Sequence, residues 1–299
     1  MKIGAIAPWF GSKRTLATAI IEELGPHRAY WEPFCGSCAV LLAKPPASQE
    51  TVNDLHRDLA NLAMVLASDR CRDLYDRLVR TLMSEALFNS ARAQIVNDPD
   101  VPAGPGDVTE THVSRAWAYM VAAWMGRNGH AGSPHSNCHL CVRYTPNGGG
   151  AATRWRSVVD SVPDWHDRLR NVTILNRDGF DIIAKIADQD GVALYVDPPY
   201  FKDTRGSGRK SARGGGSNYT HDFDDPDHAR LADALNRFER ARVVVSYYDS
   251  PRLDLLYPGW RKQPVYCQKN LHVQNRRGPG ARQAPEVLLV NQGATGLGF

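Results

Sequence analysis

The stretch Leu194-Tyr195-Val196-Asp197-Pro198-Pro199-Tyr200-Phe201 constrains the chain more than any other. It follows Gly191-Val192-Ala193, so an apolar, β-branched run of the kind buried in a parallel sheet halts at an acid, two prolines and two aromatics. Proline adds no N–H to a ladder and fixes its own φ, which leaves the Pro198 carbonyl free and turns the Asp197 and Tyr200 side chains outward. In open α/β sheets ligands collect beyond the carboxyl ends of the strands, so this is a strand that ends in a site. An acid, a rigid carbonyl and an aromatic face suit a planar ring bearing an amino group. A proline turn with a solvated Asp would read the same way, and the rest of the chain decides between them.

Residues 5–24 read as a turn and then an amphipathic helix, with Leu16, Ile20 and Leu24 at fourfold spacing and Ser12 as the cap. Free N–H groups at that helix start, beside Trp9 and Lys13, offer a place for a carboxylate, and the indole offers a face for an apolar or cationic surface. The plainer alternative buries Trp9 in the core and leaves Lys13 solvated. Ala29-Tyr30-Trp31-Glu32-Pro33-Phe34-Cys35-Gly36-Ser37-Cys38 gives a short strand and a small-residue turn before a helix, the shape of a first βα turn that lets a ligand approach the backbone. Thr51-Val52-Asn53-Asp54 is a second strand whose terminal acid stands 18 residues after Gly36, the offset at which an acid commonly takes ribose hydroxyls. Capping the helix Leu55 to Leu66 is the competing role for Asp54.

The motifs W-F-G-S-K (residues 9–13), Y-W-E-P-F-C-G-S (30–37), N-D-L-H-R-D-L (53–59) and D-P-P-Y (197–200), in this order, resemble the Dam-like, alpha-group DNA adenine methyltransferases. Ser12 and Cys38 stand where that family usually has glycine. The resemblance implies an α/β, Rossmann-like S-adenosylmethionine-dependent methyltransferase with a mixed, mostly parallel sheet. It also implies an inserted, mainly helical target-recognition domain, giving a catalytic domain over 1–70 and 166–299 and the insertion over 71–165. It implies Trp9, Lys13, Asp54 and Asp197 as cofactor contacts, with Phe34 and Gly36 lining the adenosine pocket and Asp54 on the ribose. Asp197, Pro198 and Tyr200 become catalytic. The carboxylate and the carbonyl accept the two N–H bonds of adenine's amino group, localise its lone pair toward the donor methyl, and Tyr200 stacks on the flipped base. No metal is implied.

Within the insertion, Arg72 to Val96 is helical by pattern, Asn97 to Asp107 is a loop and Val113 to Met125 is an aromatic-rich helix. Gly126 through Gly150 then mixes turn formers with Arg, Asn and Tyr, an irregular hairpin suited to reading DNA. Arg127, Asn128, Arg143, Tyr144 and Arg154 are the candidate contacts. The same segment holds His130, His135, Cys138, His139 and Cys141, a zinc set by composition but with a spacing shorter than most knuckles, so a polar DNA-facing loop is preferred.

Net charge is only +4, yet Lys202 to Gly216 carries Lys202, Arg205, Arg209, Lys210 and Arg213 against Asp203 alone. Arg205, Arg209, Lys210 and Arg213 read as a loop that clamps phosphates of duplex DNA, with a solvated flexible loop as the alternative. Lys269, Arg276, Arg277 and Arg282 form a second basic cluster near the C-terminus, where hairpin strands at 263–271 and 285–291 are joined by the basic loop Asn275 to Arg282. The six scattered cysteines read as reduced thiols, and the absence of a long apolar run or a secretory start leads to the expectation of a cytoplasmic protein with no membrane contact and no obligatory protein partner. Two other classes use similar materials: an RNA methyltransferase on the same fold, and a nonenzymatic DNA-binding protein stabilised by zinc around 130–141. Cofactor binding separates the second of these from an enzyme.

Overall fold

The computed structural model describes residues 3–9, 11–97, 107–126, 139–144, 149–202, 222–268 and 283–293, with backbone alone at 266–268 and 283–285. Its strands are β1 (Ala29–Glu32), β2 (Gln49–Asn53), β3 (Thr173–Leu175), β4 (Val192–Val196), β5 (Arg242–Tyr248), β6 (Arg261–Gln268) and β7 (Gln283–Val290). They form one sheet in the order β3-β2-β1-β4-β5-β7-β6. β7 runs antiparallel to β5 and β6, and the other neighbours are parallel. The mixed, mostly parallel Rossmann-like sheet expected from the sequence is therefore present, and the C-terminal hairpin is β6 and β7 paired from Arg261↔Val290 onward.

Side chains alternate between the two faces of a strand, and both faces of this sheet are apolar. On β4, Ala193 and Tyr195 join one core cluster while Leu194 and Val196 join the other. Val244 against Val243 and Val245 on β5, and Leu288 and Val290 against Val287 and Leu289 on β7, repeat the split. Each such fully buried Val or Leu stabilises the fold by about 1.5–3 kcal/mol before entropy is counted. The first face is covered by α1 (Ala17–Leu24), α2 (Ala39–Ala43), α3 (Arg57–Ala67) and the helices α4 (Cys71–Val79), α5 (Glu85–Asn97), α6 (Glu110–Met125), α7 (Ala151–Val159) and α8 (Val162–Leu169). The second is covered by α9 (Gly179–Lys185), α10 (Asp225–Asn236) and α11 (Arg252–Leu256). Helices α3 to α8 all lie in the single crossover from β2 to β3, a stretch wider than residues 71–165.

Two local expectations are corrected. The run from Arg72 to Val96 is not one helix but α4 and α5, broken at Thr81. Thr81 Oγ1 donates to Arg77 O and accepts the Trp117 indole N–H, while Thr81 O accepts that of Trp155. Those partners lie 36 and 74 residues away, so no local periodicity records them. Nor does Ser12 cap the first α-helix: a short 3-10 helix, Lys13–Thr15, intervenes before α1, and Ser12 Oγ pairs with Ser37 Oγ at 3.0 Å instead. The candidate hairpin after α6 is closed at its base, where Gly126 bridges Leu140 antiparallel and Cys141 N donates to Met125 O at 2.8 Å. No described helix is long and apolar enough to cross a membrane.

Candidate functional site

The strand order reverses between β1 and β4, and at such a switch point the helices leave in opposite directions and open a crevice. Both strands end there in an acid followed by proline, Glu32-Pro33 and Asp197-Pro198. The two acids meet a cleft of 260 Å³ whose floor is the β1–α2 turn. Asp197 is fixed on both carboxylate oxygens. Lys13 Nζ lies 2.9 Å from Oδ2, and Ser246 Oγ, from the neighbouring β5, donates to Oδ1 at 2.7 Å. Because that serine proton is committed, the Tyr195 hydroxyl 2.9 Å away donates to Ser246 in turn. Lys13 is itself held, donating to Gly11 O at 2.7 Å. Glu32 is 2 % exposed and accepts one hydrogen bond from Tyr30 OH at 2.9 Å. Burial pushes its carboxyl up to about 8; the Tyr30 hydrogen bond opposes this and the charge of Asp197 adds to it.

The turn below is built for close approach. Gly36 has φ +47, and a Cβ on it would come within 3.0 Å of the Trp9 indole. Its N–H donates to Asp54 Oδ2 at 2.8 Å, while Oδ1 accepts the His56 N–H at 2.9 Å. Asp54 therefore braces the turn instead of capping α3, whose cap is His56 Nδ1 accepting from Leu59 N. Cys38, where the resembled family has glycine, adopts φ +57 in the left-handed region. Such a conformation costs a non-glycine residue about 1–2 kcal/mol. Ser12, at φ −49, sits in ordinary backbone and needs no glycine.

The opposite wall is aromatic. Phe34 meets Phe223 edge-on at 5.8 Å, Phe223 stacks on Phe180 at 5.5 Å, and the Arg230 guanidinium covers Phe180 at 4.0 Å. Asp178 caps α9 by accepting from Phe180 N. Around the cleft, Glu32, Asp54, Asp178, Asp197, Asp222 and Asp227 outnumber Lys13 and Arg230. A flat heterocycle attached to a positively charged centre fits that lining.

The structure thus brings Trp9, Lys13, Phe34, Gly36, Asp54, Asp197 and Pro198 to one cleft. Tyr200 is the exception. It does not face outward: it is 7 % exposed, its hydroxyl donates to Glu286 Oε1 at 3.3 Å, its ring meets Tyr248 at 4.7 Å, and Lys13 Nζ sits 5.0 Å above it. Tyr247 and Tyr248 on β5 and Glu286 on β7 capture a ring that the local sequence alone would send to solvent. Arg143 and Tyr144 are exposed, and Arg154 pins its own surroundings through Gly149 O and Cys141 Sγ; none of the three lines the cleft. Arg127, Asn128, Arg205, Arg209, Lys210 and Arg213 lie outside the described residues, as do His130, His135 and Cys138 of the possible zinc set. Among the described residues no group of three metal-ligating side chains converges. Sequence reasoning missed Glu32, Tyr195, Ser246, Phe180, Phe223 and Arg230. The repeated acid-proline strand ending was the one available signal, and it pointed to Glu32.

One further feature ties this site to the inserted helices. Ile3 N donates to Ser161 Oγ and Ile3 O accepts the Trp165 indole N–H; Ile6 O accepts that of Trp124, and Ile6 N donates to Ser37 O. The strap that begins at Ile3 and reaches Lys13 therefore touches α8 at Ile3, α6 and the β1–α2 turn at Ile6, and Asp197 at Lys13.

Residues 9–94, which hold the strap's end, the first βα turn and Asp54, match the family described as D12 class N6 adenine-specific DNA methyltransferase. Across 302 aligned residues, 99% of this chain and 94% of the other, the sequence is 22% identical to the retron Ec67 DNA adenine methylase of Escherichia coli.

Proposed function

We infer that this chain, a member of the D12 class N6 adenine-specific DNA methyltransferases, transfers a methyl group from S-adenosylmethionine to the exocyclic amino nitrogen of an adenine flipped out of duplex DNA. The observation that carries the reading is the Asp197 carboxylate, clamped by Lys13 and Ser246 beside Pro198 on the lining of the cleft. A methyltransferase of this family needs a methyl donor, and the carboxylate-rich, aromatic-walled cleft suits one that pairs an adenine with a sulfonium. S-adenosylmethionine, when bound, supplies an electrophilic methyl group. Trp9, Gly36 and Asp54 shape its seat, with the Asp54 carboxylate facing the ribose hydroxyls and Phe34, Phe180 and Phe223 taking the adenine.

Adenine's amino lone pair is delocalised into the ring, so the chain must localise it. Asp197 and the Pro198 carbonyl accept the two N–H bonds and draw the nitrogen toward a tetrahedral shape. Lys13 and Ser246 deny Asp197 any other rotamer, so orientation is present before the base arrives. Tyr200 supports Lys13 from below; stacking on the base would require its ring to leave Tyr248 and Glu286. The insertion, 71–165, serves as the target-recognition domain, with Arg127, Asn128, Arg143, Tyr144 and Arg154 as DNA contacts, and the catalytic domain comprises 1–70 and 166–299.

Incubation of duplex DNA with labelled donor, followed by nucleoside analysis, should give N6-methyladenine. Asp197→Ala should keep donor and DNA binding and lose turnover by about 10²–10⁴-fold, the range of a positioned proton acceptor. Near-normal turnover of that variant would remove Asp197 from the chemistry.

A further inference from the structure

We propose that Cys35 and Cys38 form a reversible oxidation site on the floor of the cleft, whose disulfide deforms the Gly36 turn and weakens ligand binding there. The two Sγ atoms lie 3.7 Å apart, with Cys38 donating to Cys35, and both thiols face the Gly36 carbonyl, at 3.9 and 4.0 Å. Cys35, though buried at 9 % exposure, lines the cleft, whereas Cys38 is fully buried behind it. That asymmetry assigns the roles. A peroxide entering the cleft oxidises the Cys35 thiol to a sulfenic acid with release of one water. The Cys38 sulfur then attacks it, the S–O bond breaks as the S–S bond forms, and the Cys38 proton leaves with the hydroxyl as a second water. Two thiols and one peroxide thus give one disulfide and two waters.

The turn cannot take up this bond without cost to the site. A disulfide needs an S–S length of about 2.05 Å, so the sulfurs must close by roughly 1.6 Å. Cys35 N is bonded to Asn53 O, Gly36 N to Asp54 and Ser37 O to Ile6 N, and Trp9 presses on Gly36 from the other side. Cys35 is held at its N–H and Cys38 already stands at φ +57, so closing the sulfurs strains the intervening Gly36–Ser37 peptides against these bonds. They carry the N–H that meets Asp54. The Cys38 hydrogen bond and burial both push the Cys35 thiol above its ordinary range, so its oxidation requires peroxide in excess.

The effect on binding rests on the donor assignment above; the covalent step does not. Reduced protein and protein treated with hydrogen peroxide are compared by peptide mapping after alkylation of free thiols, and by calorimetric titration with S-adenosylmethionine. The expected result is a Cys35–Cys38 crosslinked peptide lacking two hydrogens, a tenfold or greater loss of donor affinity, and recovery of both on reduction. Cys38→Gly, which suits the left-handed backbone, should bind donor when reduced, form no crosslink and trap Cys35 as a dimedone-reactive sulfenic acid. A peptide map without the crosslink, or a crosslinked protein with unchanged affinity, overturns the proposal. Reduced protein that fails to bind S-adenosylmethionine overturns the donor assignment instead, and the peptide map still decides the oxidation site.

Discussion

A carboxyl group that is 2 % exposed, with the charge of Asp197 nearby, is held in its neutral form well into the neutral range, against the hydrogen bonds from Tyr30 and the Leu41 backbone. For Glu32 the pKa rises from 4.5 toward about 8 on folding, so the native state binds the proton more tightly than the unfolded chain does. The sign follows from linkage: its contribution is fully present below about pH 4.5 and is lost as the pH climbs through about 8. Glu32→Gln keeps an acceptor for Tyr30 and cannot ionise. Its melting temperature should match the parent's near pH 5 and exceed it by about 5 °C or more at pH 9, since each pH unit across the window is worth up to about 1.4 kcal/mol. A constant difference across that range would show that Glu32 titrates normally. Lys13 is a case where the same kind of burial is answered, because a carboxylate meets it at 2.9 Å.

Helix α9 is pressed against the β1–α2 turn so closely that a Cβ on Gly179 would stand 2.5 Å from Phe34 Cζ. Its φ carries no strain, so the objection to a side chain is purely steric. Gly179→Ala should therefore destabilise by about 1–3 kcal/mol in urea unfolding and, by displacing Phe34, weaken the donor several-fold in titration. Unaltered donor affinity would separate Phe34 from the adenosine pocket. Elements whose cause is local were readable from the sequence: Asp178 before α9, the hairpin of β6 and β7, and the Gly36–Asp54 offset that becomes a hydrogen bond. Elements whose cause is distant were not. The break at Thr81 is set by two indoles from α6 and α7, and the inward turn of Tyr200 by Glu286, 86 residues later. Asp54 illustrates the middle case, since its distance from Gly36 was visible but its bracing role was not.

At the scale of the molecule, charge is divided in an instructive way. The charged side chains that line the described cleft are mainly acidic and repel a polyanion, while the chain as a whole is +4. Attraction for DNA must come from cations outside the cleft, and Arg205, Arg209, Lys210 and Arg213 are the densest group in the sequence. Changing these four to Gln should weaken binding to all duplexes alike and flatten the slope of log K against log salt by roughly 3–4. An unchanged slope would assign the phosphate contacts elsewhere. The strap from Ile3 to Lys13 gives this division a mechanical meaning. It moors the helices of the crossover and the Asp197 carboxylate to one length of backbone that belongs to no strand of the sheet. Slack introduced at Trp124 or Trp165 would reach Asp197 through Lys13 without first disturbing a single ladder, so the sheet can stay intact while the site loses its aim.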